Sequence, residues 1–248
     1  MEWLLTFDAM FRHRGSKRTY KHNLRLAALL SFVAGVVNVA GLLSVHRLTT
    51  NVTGHFAFLA EEFSMENFAQ GMVYFLFLIA FLLGSFFSNF LVEIMLRRNV
   101  RYMHTVPVGI EILLIGTVGL LHPELLGLYP NLIAMVLLFA MGLQNALVTY
   151  LSNNVVRTTH LTGLFTDLGI ELSQLFFYRK ESAQFKLKTS IRLRLIIISG
   201  FFLGGTLGGV FYLLIGNRVF LLAVLTLVIA LVYDSLRLRM IHLRRKLS

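Results

Sequence analysis

The chain has 248 residues, of which 56% are hydrophobic and 14% charged, with 22 Phe, 3 Pro, no Cys and a formal net charge of +11. Soluble domains run at about 45–50% apolar and about 25% charged, so this composition belongs on the membrane side of both measures. The lack of Cys excludes a disulfide scaffold, a thiolate metal site and thiol catalysis.

In chain order, Trp3, Leu4, Phe7, Met10 and Phe11 fall at helical spacing and are followed by a basic run. A secretory signal has its charges before the apolar stretch, so residues 1–25 are expected to form a cytoplasmic segment with an amphipathic helix on the inner leaflet. A helix crossing the hydrocarbon core takes roughly 20 apolar residues. Six stretches meet or approach that length: 26–46, 71–96, 105–122, 130–151, 194–215 and 219–236. Two more do not. Residues 54–63 are too few to cross, and 161–178 carry Asp167, Glu171, Ser173 and Gln174. Both read as half-helices, re-entrant or interfacial. A basic cytoplasmic tail, 237–248, closes the chain.

With the N-terminus inside, 21 of the 23 Lys and Arg fall on the cytoplasmic side of these six spans. Only Arg47 and Arg218 fall outside. That bias supports six spans with both ends inside, and it accounts for most of the net charge. Basic juxtamembrane segments also attract anionic membrane lipids. No loop is long enough to build a nucleic-acid surface.

The chain also repeats itself. Phe32-Val-Ala-Gly35-Val-Val-Asn38 matches Phe139-Ala-Met-Gly142-Leu-Gln-Asn145 at an offset of 107. Thr49-Thr50-Asn51-Val52-Thr53-Gly54 matches Thr158-Thr159-His160-Leu161-Thr162-Gly163 at 109, and Phe81-Leu-Leu-Gly84-Ser85 matches Phe201-Phe-Leu-Gly204-Gly205 at 120. Each half, 26–128 and 129–236, thus holds three spans and one short helix after a Thr-Gly turn. Three crossings per half is odd, so the second half enters the membrane from the opposite face. The expected fold is an all-α integral membrane protein of two inverted three-span repeats, an architecture that recurs in secondary transporters and some channels.

The passages GVVNVAGLLSVHRLTTNVTGHFAFLAEEF and VRTTHLTGLFTDLGIELSQLFF resemble the YoaK family of multi-spanning bacterial membrane proteins, and the likeness covers nearly the whole chain beyond the N-terminal segment. Many members have Asn where this chain has His55. The resemblance implies a bacterial inner-membrane protein and no established activity, since the family is itself a domain of unknown function.

Candidate functional residues follow from what lipid cannot supply. Asn38 and Asn145 lie deep in matching spans, where a side-chain amide must find partners. They either tie the halves together through an interhelical hydrogen bond or line a central path. Thr50 and Thr53, with Thr159 and Thr162, can cap the short helices that follow. Gly54 and Gly163 allow close approach or unusual dihedrals. Helix starts also suit an anion. A span of 21 residues is about 31 Å long, which separates the two turns as two gates unless the segments re-enter the membrane. Glu111 is an intramembrane carboxyl suited to proton coupling. Asp167 and Glu171 are expected to face a polar cavity or cytoplasmic water, and Glu93 to pair with Arg97 across one helical turn. The small residues around Gly204 and Gly84 suit close helix packing. His46, His55, Glu61 and Glu62 are too loosely spaced to make a metal site, and no cofactor is expected.

Enzyme motifs such as H-E-x-x-H, G-x-S-x-G and the P-loop are absent. The function expected is a small-molecule or ion transporter working by alternating access, with a homodimer among the assemblies it allows. The alternatives are a passive channel on the same scaffold and a non-transporting scaffold or lipid-interacting protein.

Overall fold

The structure, a computed structural model, describes residues 20–98 and 104–247, with side chains as far as Tyr233. The expected N-terminal amphipathic helix lies outside the described residues. The helices in chain order are α1 (Tyr20–Val45), α2 (Val52–Ser64), α3 (Phe68–Arg97), α4 (Thr105–Leu120), α5 (Pro123–Leu128), α6 (Pro130–Ser152), α7 (Leu161–Phe177), α8 (Glu181–Ile215) and α9 (Phe220–Leu247). No strand occurs among the described residues.

Four stretches are long and apolar enough to cross a membrane: α1, α3, α6 and Glu181–Tyr233. The last contains α8 and the start of α9. Gly216, at φ +61°, ends α8 there, and a short 3-10 turn over Gly216–Val219 leads into α9. The Asn217 amide locks that turn by donating to the carbonyls of Val118, Gly119 and Leu121 at the end of α4. α4 has 16 residues, about 24 Å of helix against a hydrocarbon core of about 30 Å.

The short segments fall where the sequence puts them, as α2 and α7. Three features differ. α1 begins at Tyr20, and α8 begins at Glu181, ahead of the expected start at Arg194. No Gly or Pro interrupts residues 181–193, so the helix runs on through Lys186, Lys188 and Arg192. Pro123 and Pro130 each open a helix at its first turn, and the first of these adds the short α5. Among the described residues Glu93 and Arg97 form no ion pair; the pairs present are His122–Glu124, Arg194–Asp167 and Arg194–Glu171.

α1 and α6 are central: 61% of the apolar window of each is buried, against 22% in α3. Glycine decides which helices meet closely. A Cβ on Gly35 would lie 2.1 Å from the Phe201 carbonyl oxygen, and one on Gly204 would lie 2.1 Å from that of Phe32. Gly200 faces Ala28 and Ser31, and Gly208 faces Val36. The register advances in the same direction on both helices, so α1 and α8 run parallel with their backbones in contact. α3 and α6 meet in the same way. A Cβ on Gly84 would lie 2.1 Å from the Phe139 oxygen, and one on Gly142 would lie 2.3 Å from that of Phe81. The Ser85 hydroxyl donates to the Gly142 carbonyl at 3.2 Å. The close packing expected of the small-residue runs is therefore present, and it is made by backbone.

The central pair runs the other way. Arg47 at the end of α1 donates to Asn131 at the start of α6, and Gln144 near the end of α6 donates to the Leu30 carbonyl in the first half of α1. α1 and α6 are thus antiparallel. So are α4 and α9, where Gly116 faces Val224 and Gly119 faces Phe220.

Gly204→Val places a branched side chain against the backbone of α1, which cannot yield as a flexible side chain can. The expected loss of stability is at or above the upper end of the roughly 1–3 kcal/mol typical of overpacking. Gly109→Ala, where nothing lies within 4 Å of the added Cβ, leaves stability unchanged or slightly raises it. Thermal unfolding of the detergent-solubilised protein compares the two.

Candidate functional site

Each central helix ends in a segment that folds back on it. In the first half the Thr50 hydroxyl donates to Asn38 Oδ1 at 2.6 Å, and the buried Thr49 hydroxyl donates to the Val37 carbonyl at 3.0 Å. Asn38 precedes the end of α1 at Val45 by seven residues, about 10 Å along the helix, so the turn is drawn back by about that distance. In the second half Asn145 Nδ2 donates to the Thr159 hydroxyl at 2.8 Å, and the Thr158 hydroxyl donates to Asn145 Oδ1 at 3.2 Å. The Gln144 amide, which is buried, donates to Thr158 Oγ1 at 3.3 Å. Asn153, in the left-handed conformation at φ 56°, ends α6 and starts this return. Where such a reversal is buried, its turn amides and hydroxyls must be satisfied by the protein itself.

The consequence is that the two turns are not separate gates. Thr50-Asn51-Val52-Thr53 and Thr159-His160-Leu161-Thr162 line one cavity of about 430 Å³. Asn38 of α1 with Asn145 and Thr149 of α6 line it as well, together with Phe81 of α3, Phe201 of α8, and Leu48 and Arg157 from the loops. A volume in this range holds a small solute. Asn38 and Asn145 hold their own loops and face this cavity, and neither hydrogen-bonds to the other half.

Capping also differs from expectation. Asn51 caps α2 by accepting from Gly54 N at 2.9 Å, while Thr50 is engaged with Asn38. α7 has no side-chain cap: His160 holds the N-cap position, Thr159 is engaged with Asn145, and Thr162 already lies within the helix. Gly54 and Gly163 have no left-handed dihedral. What they provide is room, since a Cβ would meet the Leu48 side chain at 2.6 Å and the His160 ring at 2.4 Å.

Two candidates lie elsewhere. Glu111 is buried on α4 with Oε1 unpartnered, and it does not line the cavity. His55 is buried in α2, where its Nε2–H donates to the Leu48 carbonyl at 2.7 Å and its ring packs on Phe77 and Tyr74 of α3. It is an anchor for the turn. Among the described residues no group of three or more His, Cys, Asp or Glu could hold a metal ion.

Asp167 is half-exposed and lines a cavity, and it and Glu171 are both clasped by Arg194 of α8. Arg194 grips Glu171 with Nε and Nη2 at 2.8 and 2.9 Å and reaches Asp167 with Nη1 at 2.9 Å, while the Ser190 hydroxyl donates to Glu171 at 2.6 Å. Burial pushes the Glu171 carboxyl up, but the hydrogen bonds from Arg194 and Ser190 and the guanidinium charge outweigh it and hold the carboxyl below its ordinary range. Asp167 and Arg194 line a second cavity, of about 560 Å³, that shares Arg157 and His160 with the first.

Sequence reasoning passed over Arg157 and Arg194, counting both as topology charges. For Arg157 the signal was its place directly before the repeated Thr-Thr pair.

Asn145→Ala removes the partner of Thr159 and the acceptor of Thr158, which keeps only its bond from Gln144, for an expected loss of about 1–3 kcal/mol in thermal or denaturant unfolding. Glu171→Gln breaks a bidentate charged contact worth about 1.5–3 kcal/mol. Because the folded carboxyl titrates below its ordinary value of 4.5, this contribution is complete above that value and fades as the pH falls through the lower, folded one. The difference in melting temperature between wild type and Glu171→Gln is therefore large at neutral pH and closes on acidification.

Residues 26–233, most of the chain, match the family model DUF1275, described as "Protein of unknown function". No curated protein and no solved structure matches. The uncharacterised family expected from the two Thr-Gly passages is thus found over most of the helical region, and the chain belongs to DUF1275.

Proposed function

We propose that the protein is a transporter of small molecules or ions in the bacterial inner membrane, with both termini cytoplasmic, six spans, and the 430 Å³ cavity as its substrate site. In this reading the halves are inverted repeats. The observation that carries it is the pairing of the cavity wall. Aligned at the sequence offsets, its lining residues match across the halves: Asn38 with Asn145, Leu48 with Arg157, Thr50 with Thr159, Asn51 with His160, Val52 with Leu161, Thr53 with Thr162, and Phe81 with Phe201. Thr149 alone has no mate there.

The helix packing supports the same relation. Matched helices α1 and α6 run antiparallel, as do α4 and α9, which is what a two-fold axis in the membrane plane produces. The α1–α8 contact has its counterpart in α6–α3, glycine for glycine. A shared site at the interface of inverted repeats, reached by helices that start inside the membrane, suits alternating access.

Thr53 and Thr162 open onto the cavity and hold none of the turn bonds described above. Thr53→Trp or Thr162→Trp therefore fills the site while the Asn–Thr docking persists. Solute counterflow into proteoliposomes is the measurement, and the expected result is at least a tenfold loss of rate with an unchanged melting temperature. Unitary currents across a planar bilayer would indicate a channel instead. Absence of solute movement by wild-type protein would leave a packing scaffold.

A further inference from the structure

Resting on the reading of the 430 Å³ cavity as a substrate site, we infer that its substrate is a small oxyanion, a carboxylate, phosphate or sulfate, with Arg157 as the residue that selects it. Arg157 is the one cation in the wall, and no Asp or Glu lines it. It makes no ion pair or hydrogen bond to any other described residue. The nearest acidic groups by cavity, Asp167 and its neighbour Glu171, are already held by Arg194. No carboxylate of the wall pairs with this exposed guanidinium, and the one net negative charge of the Asp167–Glu171–Arg194 cluster lies in the adjoining cavity.

The other unspent groups are donors. Thr50 occupies Asn38 Oδ1 and leaves the Nδ2 hydrogens to the cavity. α7, unlike α2, starts without a side-chain cap, and Leu161 and Thr162 of its first turn line the wall. A planar guanidinium with five fixed donors binds two oxygens of one anionic group at once. Leu48 holds the matched position in the first half, so the charge sits on one side of the site. That side adjoins the second cavity, which Arg157 and His160 also line.

Isothermal titration of the purified full-length protein with succinate, inorganic phosphate and sulfate tests this, with choline and mannitol as cationic and neutral comparisons. Expected are saturable binding of at least one oxyanion, an affinity at least tenfold weaker in Arg157→Gln (about 1.4 kcal/mol), and partial recovery in Arg157→Lys. Melting temperatures without ligand should agree across the variants, because the side chain bonds nothing in the fold. If Arg157→Gln does not fold, Arg157→Leu, which copies Leu48, gives the same comparison. Oxyanion binding unchanged in these variants, or binding of choline or mannitol alone, overturns the assignment and leaves the transport reading intact. If no solute of any class binds and the Thr53→Trp protein moves solutes as wild type does, both fall together.

Discussion

A polypeptide that has crossed most of an apolar layer cannot reverse there unless its freed amides and hydroxyls are satisfied by the protein itself. This chain reverses twice after an apolar helix, each time by returning a Thr-Thr pair onto consecutive residues of the helix it has just left: Val37-Asn38 in α1, and Gln144-Asn145 in α6. The contacts are few, and each is a single hydrogen bond worth about 1 kcal/mol net. Their consequence is geometric. They set where α2 and α7 begin, and so they decide that two turns from opposite ends of antiparallel helices open on one cavity.

Around this constraint the two halves use different chemistry for the same mechanical tasks. α7 is fixed to α8 by Arg194 gripping Asp167 and Glu171. At the matched positions α2 is fixed to α3 by Phe58 against Tyr74, with ring centroids 5.2 Å apart, and by His55 against Phe77. An ion pair needs a wet or strongly hydrogen-bonded setting, whereas an aromatic pair does not. The second half thus uses Asp167–Arg194 where the first uses Phe58–Tyr74. The backbone arrangement is repeated, but the electrostatics are not.

Much of this was legible beforehand, for identifiable reasons. Hydropathy marked the helix cores, because lipid imposes one requirement on every residue of a span. Gly35, Gly84, Gly142 and Gly204 were visible as a repeated small-residue pattern, and each proved to be a backbone contact. What was hidden is long-range. Arg194 and Glu171 are 23 residues apart, and nothing local pairs them. The i,i+4 spacing of Glu93 and Arg97 suggested a bond that α3 does not make, since spacing permits a contact without compelling one. Arg157 was read only as a topology charge, because a charge census does not show which loop residues line a cavity. Thr159 folding back on Asn145 brings the exposed Arg157 to the cavity wall.

The packing also changes which parts can move against each other. The tightest contacts join α1 to α8 and α3 to α6, so each close pair takes one helix from either half. Rocking of one sequence repeat against the other would tear both backbone contacts, which are too close to slide. The surfaces left to move are those between these pairs, where α1 meets α6 through Gln144–Leu30 and Arg47–Asn131. α2 and α7 span that division. α2 is tied to α1 through Thr50–Asn38 and to α3 through its aromatic contacts. α7 is tied to α6 through Thr159–Asn145 and to α8 through the Arg194 clasp. A shift of one pair against the other must therefore tilt both short helices, and their first turns form the cavity wall. Any movement of the bundle is delivered to the site by the same Asn–Thr bonds that created it.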